Sequence, residues 1–479
     1  MTVASLAFLA FALAAALLYN LARPVWWRQG VLLIANGASL VTFAAGVVPL
    51  LPLLGFIAVS YACLWLVQRD RSNRTYVVAL TLMIVLFFWL KRYSFLPQSS
   101  FLPFAYSVIG LSYIFFRTVH VVIDAHGGDL PERVAPIAYL NYVLNFTSLV
   151  SGPIQRYQDY AATQLGAERP PLNWIVAGRA SERIATGLFK VVVLAAILNG
   201  WHTHMLAAFA AATTLDEHIW TALAATVGYT FYLYCNFSGY TDIVIGAARM
   251  YRLELPENFD RPFAATSFLD FWSRWHMTLS GWLKTYVYNP LVLALMARFP
   301  SASAAPFLGV MAYFVTFFLI GLWHGQTSVF AVYGVLLGLG VSVNKLYQVA
   351  MAARLGRKRY RALAERSVYQ AAARGLTFAW FTISLVFFWG DWPVIGQLAA
   401  GLGVAGLALA STALVLVAGL VLTAGVAIRE ASLRMRVAGS PALRSRYCRT
   451  VSVTAMSAVA VAALLLLASP APDVIYRTF

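Results

Sequence analysis

Apolar stretches of similar length recur along almost the whole chain, and the polar residues that interrupt them carry most of the information. Residues 2–22, 30–50, 53–67 and 75–90 form an opening set of hydrophobic segments, divided by Pro24, by Pro49 and Pro52, and by the charged turn 68–74. Residues 220–234, 327–347, 376–389, 405–427 and 451–468 read the same way. A helix needs roughly 20 apolar residues to cross hydrocarbon, and on that measure the chain holds about eleven spans. Residues 2–21 lack a basic leader and a small-residue cleavage site, so they read as a retained span. The expected fold is all-α and polytopic, with re-entrant and interfacial helices beside the spans.

Polar interruptions fall in four places. Residues 110–124 carry Ser112, Arg117, His120 and Asp124 inside a span-length run, so that polar stripe must face protein or water. We read it as a hydrogen-bond network facing the bundle. Between 141 and 158 a hydrophobic run is cut by Gly152 and Pro153 before it is long enough to cross, which predicts a broken or re-entrant element. A Pro-rich loop at 168–173 precedes a helix entering the membrane through Gly187 and Lys190; beyond it His202 and His204 fall in a predicted loop. Without acidic or cysteine company that pair does not read as a metal site. Residues 236–242, Asn-Phe-Ser-Gly-Tyr-Thr-Asp, interrupt the apolar pattern before 243–250 resumes it. Residues 392–403 are Gly-rich and expected at the outer interface.

The richest stretch is 266–325. Ser267 and Asp270 have the spacing of a capping box, and Phe271, Trp272, Trp275, Leu279, Trp282 and Leu283 follow at helical intervals. One amphipathic helix is predicted there, carrying Arg274, Trp275 and His276 and ending at a turn near Asn289 and Pro290. The apolar run 307–322 then closes on Trp323, His324 and Gly325. An imidazole at the end of a membrane-depth segment points to function.

Composition agrees with the pattern. Of 479 residues, 61% are hydrophobic and 11% charged, with mean hydropathy +0.73, far too little polar surface to coat a water-soluble globule. The net charge of +17 raises nucleic acid as a partner. The basic residues, however, sit in short connectors, among them Arg23 and Arg28, 69–74, 354–361 and 429–449. That is the cytoplasmic signature of a membrane protein, with residue 1 outside, and nucleic-acid binding is set aside. Cys63, Cys235 and Cys448 are far apart and support neither a disulfide framework nor a zinc site. No repeat of 20–50 residues is visible.

Six pieces of the sequence together resemble the membrane-bound O-acyltransferases, in the bacterial branch that includes alginate O-acetylases and teichoic-acid D-alanyl transfer proteins. They are Gly110-Leu-Ser-Tyr, Ser151-Gly-Pro-Ile-Gln-Arg, Asn236-Phe-Ser-Gly-Tyr-Thr-Asp, Pro256-Glu-Asn-Phe, Phe271-Trp-Ser-Arg-Trp-His and Gly321-Leu-Trp-His-Gly. In order they cover about residues 105–345. We treat 1–479 as one membrane-embedded domain, with helices 1–104 and 346–479 flanking that core. The resemblance implies a ring of tilted helices around a thin centre, crossed by a tunnel. It also implies catalysis at His324, with His276 the second family histidine. The chain departs from the alginate pattern at Asn236, where Asp is usual, and at Lys284 and Thr285, where an Arg-Asp pair is usual.

Acyl transfer from a thioester to a sugar hydroxyl needs a base near neutral pH and donors for the oxyanion. An imidazole kept neutral by apolar surroundings meets the first need, and aromatics such as Trp323 exclude water. No Gly-x-Ser-x-Gly elbow or reactive-cysteine setting is present, so direct attack by the acceptor is favoured. Trp275, Asn236, Asp242 and Arg156 are candidate lining residues. Arg274 and Lys284 are candidates for the phosphates of the donor, with snorkelling to the interface as the alternative. The resulting expectation is an inner-membrane enzyme of a bacterium. It would take an acyl group, acetyl first, from acetyl-CoA or an acyl carrier protein in the cytoplasm toward an envelope polysaccharide, with no tightly bound cofactor. The resemblance implies a periplasmic or membrane-anchored transferase as partner. D-alanyl transfer to a teichoic-acid-like polymer is the rival, and a transporter without chemistry the reading from another class.

Overall fold

The computed structural model describes residues 2–43, 47–104, 106, 108–130, 133–166, 169–437 and 446–466. Met1, Glu168, Arg444, residues 44–46 of the expected segment 30–50 and residues 467–468 of the segment 451–468 lie outside the described residues. Regular structure among the described residues is helical, with no strand beyond an isolated bridge between Phe259 and Trp275. Among the described residues, seven helical stretches have the length and hydropathy to cross a membrane: Val48–Arg69, Asn73–Leu90, Trp174–Ala211, Ala305–His324, Ser328–Leu355, Ser367–Trp389 and Trp392–Arg434. Leu6–Leu21 and Arg449–Leu465 are shorter apolar helices. The protein is thus an all-helical, multi-pass membrane protein.

Two compact units form. The first comprises the described residues of 1–194, 235–256 and 453–479. It holds α1 (Leu6–Leu21), α2 (Val25–Phe43), α3 (Leu51–Arg69), α4 (Asn73–Leu90), α5 (Leu111–Gly127), α6 (Pro136–Val143), α7 (Tyr157–Gln164) and α8 (Trp174–Leu188). Hydroxyl and amide caps start several of these: Ser5 accepts from Phe8 N, Ser72 from Thr75 N, and Asn173 from Ile175 N and Val176 N. Between α6 and α7 the chain is not helical, as Gly152 and Pro153 predict. The stranded carbonyls are satisfied from inside the protein. Arg117, 1% exposed on α5, donates to Val143 O at 2.9 Å, to Ser148 O at 2.6 Å and to Ser148 Oγ at 2.7 Å. His120 completes the expected network, reaching Asp124 Oδ2 at 3.2 Å and Tyr142 Oη at 2.5 Å.

The second unit comprises the described residues of 195–234 and 257–452. Its elements are α9 (Ala196–Ala211), the first part of α10 (Leu215–Met250), α11 (Phe268–Trp272), α12 (Met277–Leu283), α13 (Asn289–Arg298), α14 (Ala305–His324), α15 (Ser328–Leu355), α16 (Arg357–Ala364), α17 (Ser367–Trp389) and α18 (Trp392–Val437). α19 (Arg446–Leu466) begins in this unit. A Cβ on Gly321 of α14 would lie 2.2 Å from Gly334 Cα of α15, so this pair of helices meets backbone to backbone.

Residues 236–242, which interrupt the apolar pattern, lie within α10, because helical backbone satisfies itself and polar side chains need only partners. Three local expectations are corrected. His202 and His204 lie in α9 rather than a loop, and His202 Nδ1 bonds Ala225 O at 2.9 Å. In place of a turn at Asn289 and Pro290, α13 starts there with Pro290 in its first turn, where a missing N–H costs nothing. The predicted helix through His276 is two short helices, for a reason given below. Of the Gly-rich residues, 392–402 are helical, and the helix bends at Gly403 (φ 58°).

Candidate active site

The capping pair is present: Ser267 Oγ accepts from Asp270 N and starts α11. That helix stops after five residues, and the backbone turns at His276, whose φ of 44° is left-handed. For a residue other than glycine such a conformation costs roughly 1–3 kcal/mol and persists only where surrounding contacts impose it. Asn258 imposes it. Its backbone O accepts from Met277 N at 3.0 Å, and its Oδ1 accepts from Thr278 N at 3.2 Å and from Thr278 Oγ1 at 2.8 Å. Next to it Asp260 N bonds Arg274 O at 2.9 Å, and the Phe259 and Trp275 rings meet edge to face at 5.1 Å.

Asn258 also sets the tautomer of His276. Its Oδ1 lies 3.2 Å from His276 Nδ1, and since that oxygen already accepts from a backbone N–H, the imidazole is the donor. The proton therefore resides on Nδ1, and Nε2 is the lone-pair nitrogen. Burial pushes the His276 imidazole down to about 3, so it stays neutral at physiological pH.

His324 arrives from the opposite direction, as the last residue of α14. The Gly321 contact sets how closely α14 lies on α15, and the next residues turn out at Gly325. Trp323 is the shared neighbour of both histidines, its ring 6.4 Å from that of His276 and 4.6 Å from that of His324. Phe388 (5.1 Å) and Tyr333 (5.7 Å) also face His324. Both imidazoles are at most 3% exposed. Two buried imidazoles around one indole, enclosed by aromatics, can orient a hydroxyl and take its proton where water has little access.

Of the other candidates, Trp275 belongs to the same unit and is buried, stacked on Phe271 at 5.6 Å. Arg274 points into an acidic pair, its Nε donating to Asp270 Oδ1 at 2.8 Å and its Nη1 3.6 Å from Asp260 Oδ2. Lys284 is exposed on the π-helical turn Lys284–Tyr288. Asn236, Asp242 and Arg156 belong to the first unit. Asn236 is fully buried on α10, Arg156 is exposed at the start of α7, and Asp242 is held by Arg183 Nε at 3.0 Å and Lys190 Nζ at 2.7 Å. Sequence reasoning missed Asn258, Tyr333 and Phe388. The asparagine stood in a quoted motif, flanked by prolines that hold a connector rigid; the two aromatics carry no signal distinguishing them from ordinary span residues.

Fold and site together define a polytopic membrane protein with a buried histidine pair. The MBOAT, membrane-bound O-acyltransferase family model matches residues 74–388, more than half of the chain, and this protein belongs to that family of acyltransferases. It is 30% identical over 281 residues to the teichoic acid D-alanyltransferase of Bacillus subtilis, covering 56% of this chain and 68% of that protein. To the probable alginate O-acetylase AlgI of Azotobacter vinelandii it is 29% identical, over 60% of this chain and 55% of that protein. To the peptidoglycan O-acetyltransferase of Helicobacter pylori it is 32% identical, over 44% of this chain and 38% of that protein. The chain thus spans about two thirds of the first of these relatives and about half or less of the other two.

Proposed function

We propose that this protein moves an acyl group, acetyl in the first instance, from a cytoplasmic thioester to hydroxyls of an envelope or exported polysaccharide, in the cytoplasmic membrane of a bacterium. The observation that carries this reading is the buried group of His276, Trp323 and His324. His324 takes the proton of the acceptor hydroxyl as its oxygen attacks the thioester carbonyl. The tetrahedral intermediate then expels the thiolate, the carbon–sulfur bond breaks, and the imidazolium returns the proton to sulfur. His276, neutral and fixed in one tautomer, orients the acceptor. The family's through-tunnel would bring the two substrates to one ring from opposite faces. The direction has support in the second unit, where α15 leads from the Gly325 turn to the basic connector at Arg354–Arg366. Donors of either kind, acetyl-CoA or an acyl carrier protein, fit this reading, as does a separate transferase that completes delivery.

The relative from B. subtilis favours a second reading, D-alanyl transfer. Mass spectrometry of the envelope polymer separates the two, since acetyl and alanyl esters differ in mass and only alanyl contains nitrogen. His324→Ala should abolish ester incorporation while the protein stays in the membrane at its normal level. Incorporation that survives the change removes this imidazole from the mechanism.

A further inference from the structure

The first unit gathers four arginines well apart in sequence. Arg23 lies in the α1–α2 turn, Arg28 in the first turns of α2, Arg169 ahead of α8, and Arg252 just after α10. Arg252 ties the group together: its Nε donates to Asn20 Oδ1 at 2.9 Å and its Nη1 to Pro170 O at 2.9 Å. The guanidinium of Arg169 lies 5.9 Å from the Tyr19 ring centroid. Burial, and then the like charges of Arg169, Arg28 and Arg23, hold Arg252 below its ordinary value.

Arg28 is the unexplained member. It is 2% exposed, and its Nε and Nη1 are buried without a hydrogen-bond partner among the described residues. Nε and Nη2 of Arg169 are in the same condition. No ion pair with a carboxylate holds any of the four among the described residues. A buried, unpaired guanidinium is costly, and like charges brought together add to the cost. An anion relieves both. The N-terminus of α2 contributes a positive dipole end at the same place. Trp26, 73% exposed, and Trp27, whose indole N–H bonds Leu18 O at 2.9 Å, mark headgroup depth. Tetrahedral oxyanions suit several guanidinium forks arranged in this way.

We propose that Arg23, Arg28, Arg169 and Arg252 form a phosphate-binding site at the membrane interface, with Arg28 as its buried anchor. The phosphate belongs either to an anionic glycerophospholipid headgroup or to a soluble phosphorylated molecule. The site is independent of the histidine chemistry.

Purified full-length protein is titrated with phosphatidylglycerol in phosphatidylcholine nanodiscs and, separately, with inorganic pyrophosphate, following binding by native mass spectrometry and thermal stabilisation. Phosphatidylglycerol alone binding identifies a lipid headgroup; pyrophosphate binding identifies a soluble source. Arg28→Gln should lower the affinity at least about tenfold, the scale for truncating one partner of a buried charged pair. Should that variant fail to fold, Arg169→Gln, which is less buried, decides. Arg357→Gln on the exposed basic helix α16 should leave binding unchanged. Binding of neither probe, binding unaffected by Arg169→Gln, or equal loss with Arg357→Gln overturns the proposal.

Discussion

Gly325 offers the sharpest test of how the His324 site is held. Its backbone is extended (φ −160°), so any residue could adopt it; what forbids a side chain is the neighbour. A Cβ there would lie 2.0 Å from Cδ2 and 2.1 Å from Cε2 of Phe330. Carbon atoms rest at about 3.5–4.0 Å, so the Phe330 ring must retreat by about 1.5 Å. Phe330 packs 6.1 Å from Phe388, and Phe388 packs 5.1 Å from His324, so the displacement passes toward the imidazole. Overpacking of this kind costs about 1–3 kcal/mol, and misplacing a reacting group by about 1 Å costs on the order of 10²-fold in rate. Gly325→Ala should therefore lower ester incorporation by that factor with a modest loss of stability. Adding Phe330→Ala removes the obstructing ring and should restore most of the activity. Gly321→Ala should not respond to the same rescue, because its Cβ meets Gly334 Cα, which is backbone. The assay is mass spectrometry of the envelope polymer in cells lacking another copy, with membrane levels followed by immunoblot. Wild-type activity in Gly325→Ala, or failure of Phe330→Ala to rescue a protein present at normal levels, refutes the argument.

Two further predictions concern the His276 turn. Asn258→Ala removes an acceptor used by three donors, so about 2–4 kcal/mol of stability should go. If Asn258 acts through His276, the substitution should lower kcat in the wild type and add nothing in a His276→Ala background; equal effects in both would show a structural role only. In the folded protein His276 titrates near 3, against about 6.5 when unfolded, so below about 6.5 the unfolded chain binds the extra proton. This contribution is fully present above that pH and is lost as pH falls toward 3, by up to about 5 kcal/mol. His276→Gln should flatten the decline of the thermal midpoint between pH 7 and 4; an unchanged slope would refute the assignment.

Periodicity and length made the all-helical, multi-pass architecture legible, because lipid permits only backbone that satisfies itself. The break at Gly152 and Pro153 was legible for the same reason, since those residues act on the backbone. The stretch 236–242 interrupts the apolar pattern without ending the helix, since its residues are polar only in their side chains. The turn at His276 could not be read from spacing at all. Helical intervals from Phe271 to Leu283 continue through it, and the left-handed residue is forced by Asn258, which lies eighteen positions upstream and becomes a neighbour only on folding.

The two polar stretches that bear the family motifs differ in what holds their polar side chains. Asp242 is engaged by two cations, Arg183 and Lys190. That carboxylate is committed to a structural ion-pair cluster. A neutral imidazole has no such debt. Apolar aromatics can enclose it at small cost, as Tyr333 and Phe388 do at His324. Much of Gly321-Leu-Trp-His-Gly then serves position rather than reaction: Gly321 sets the approach of α14 to α15, Trp323 fills the space shared with His276, and Gly325 leaves room for Phe330. A chain keeping His324 but losing either glycine should insert normally and transfer little.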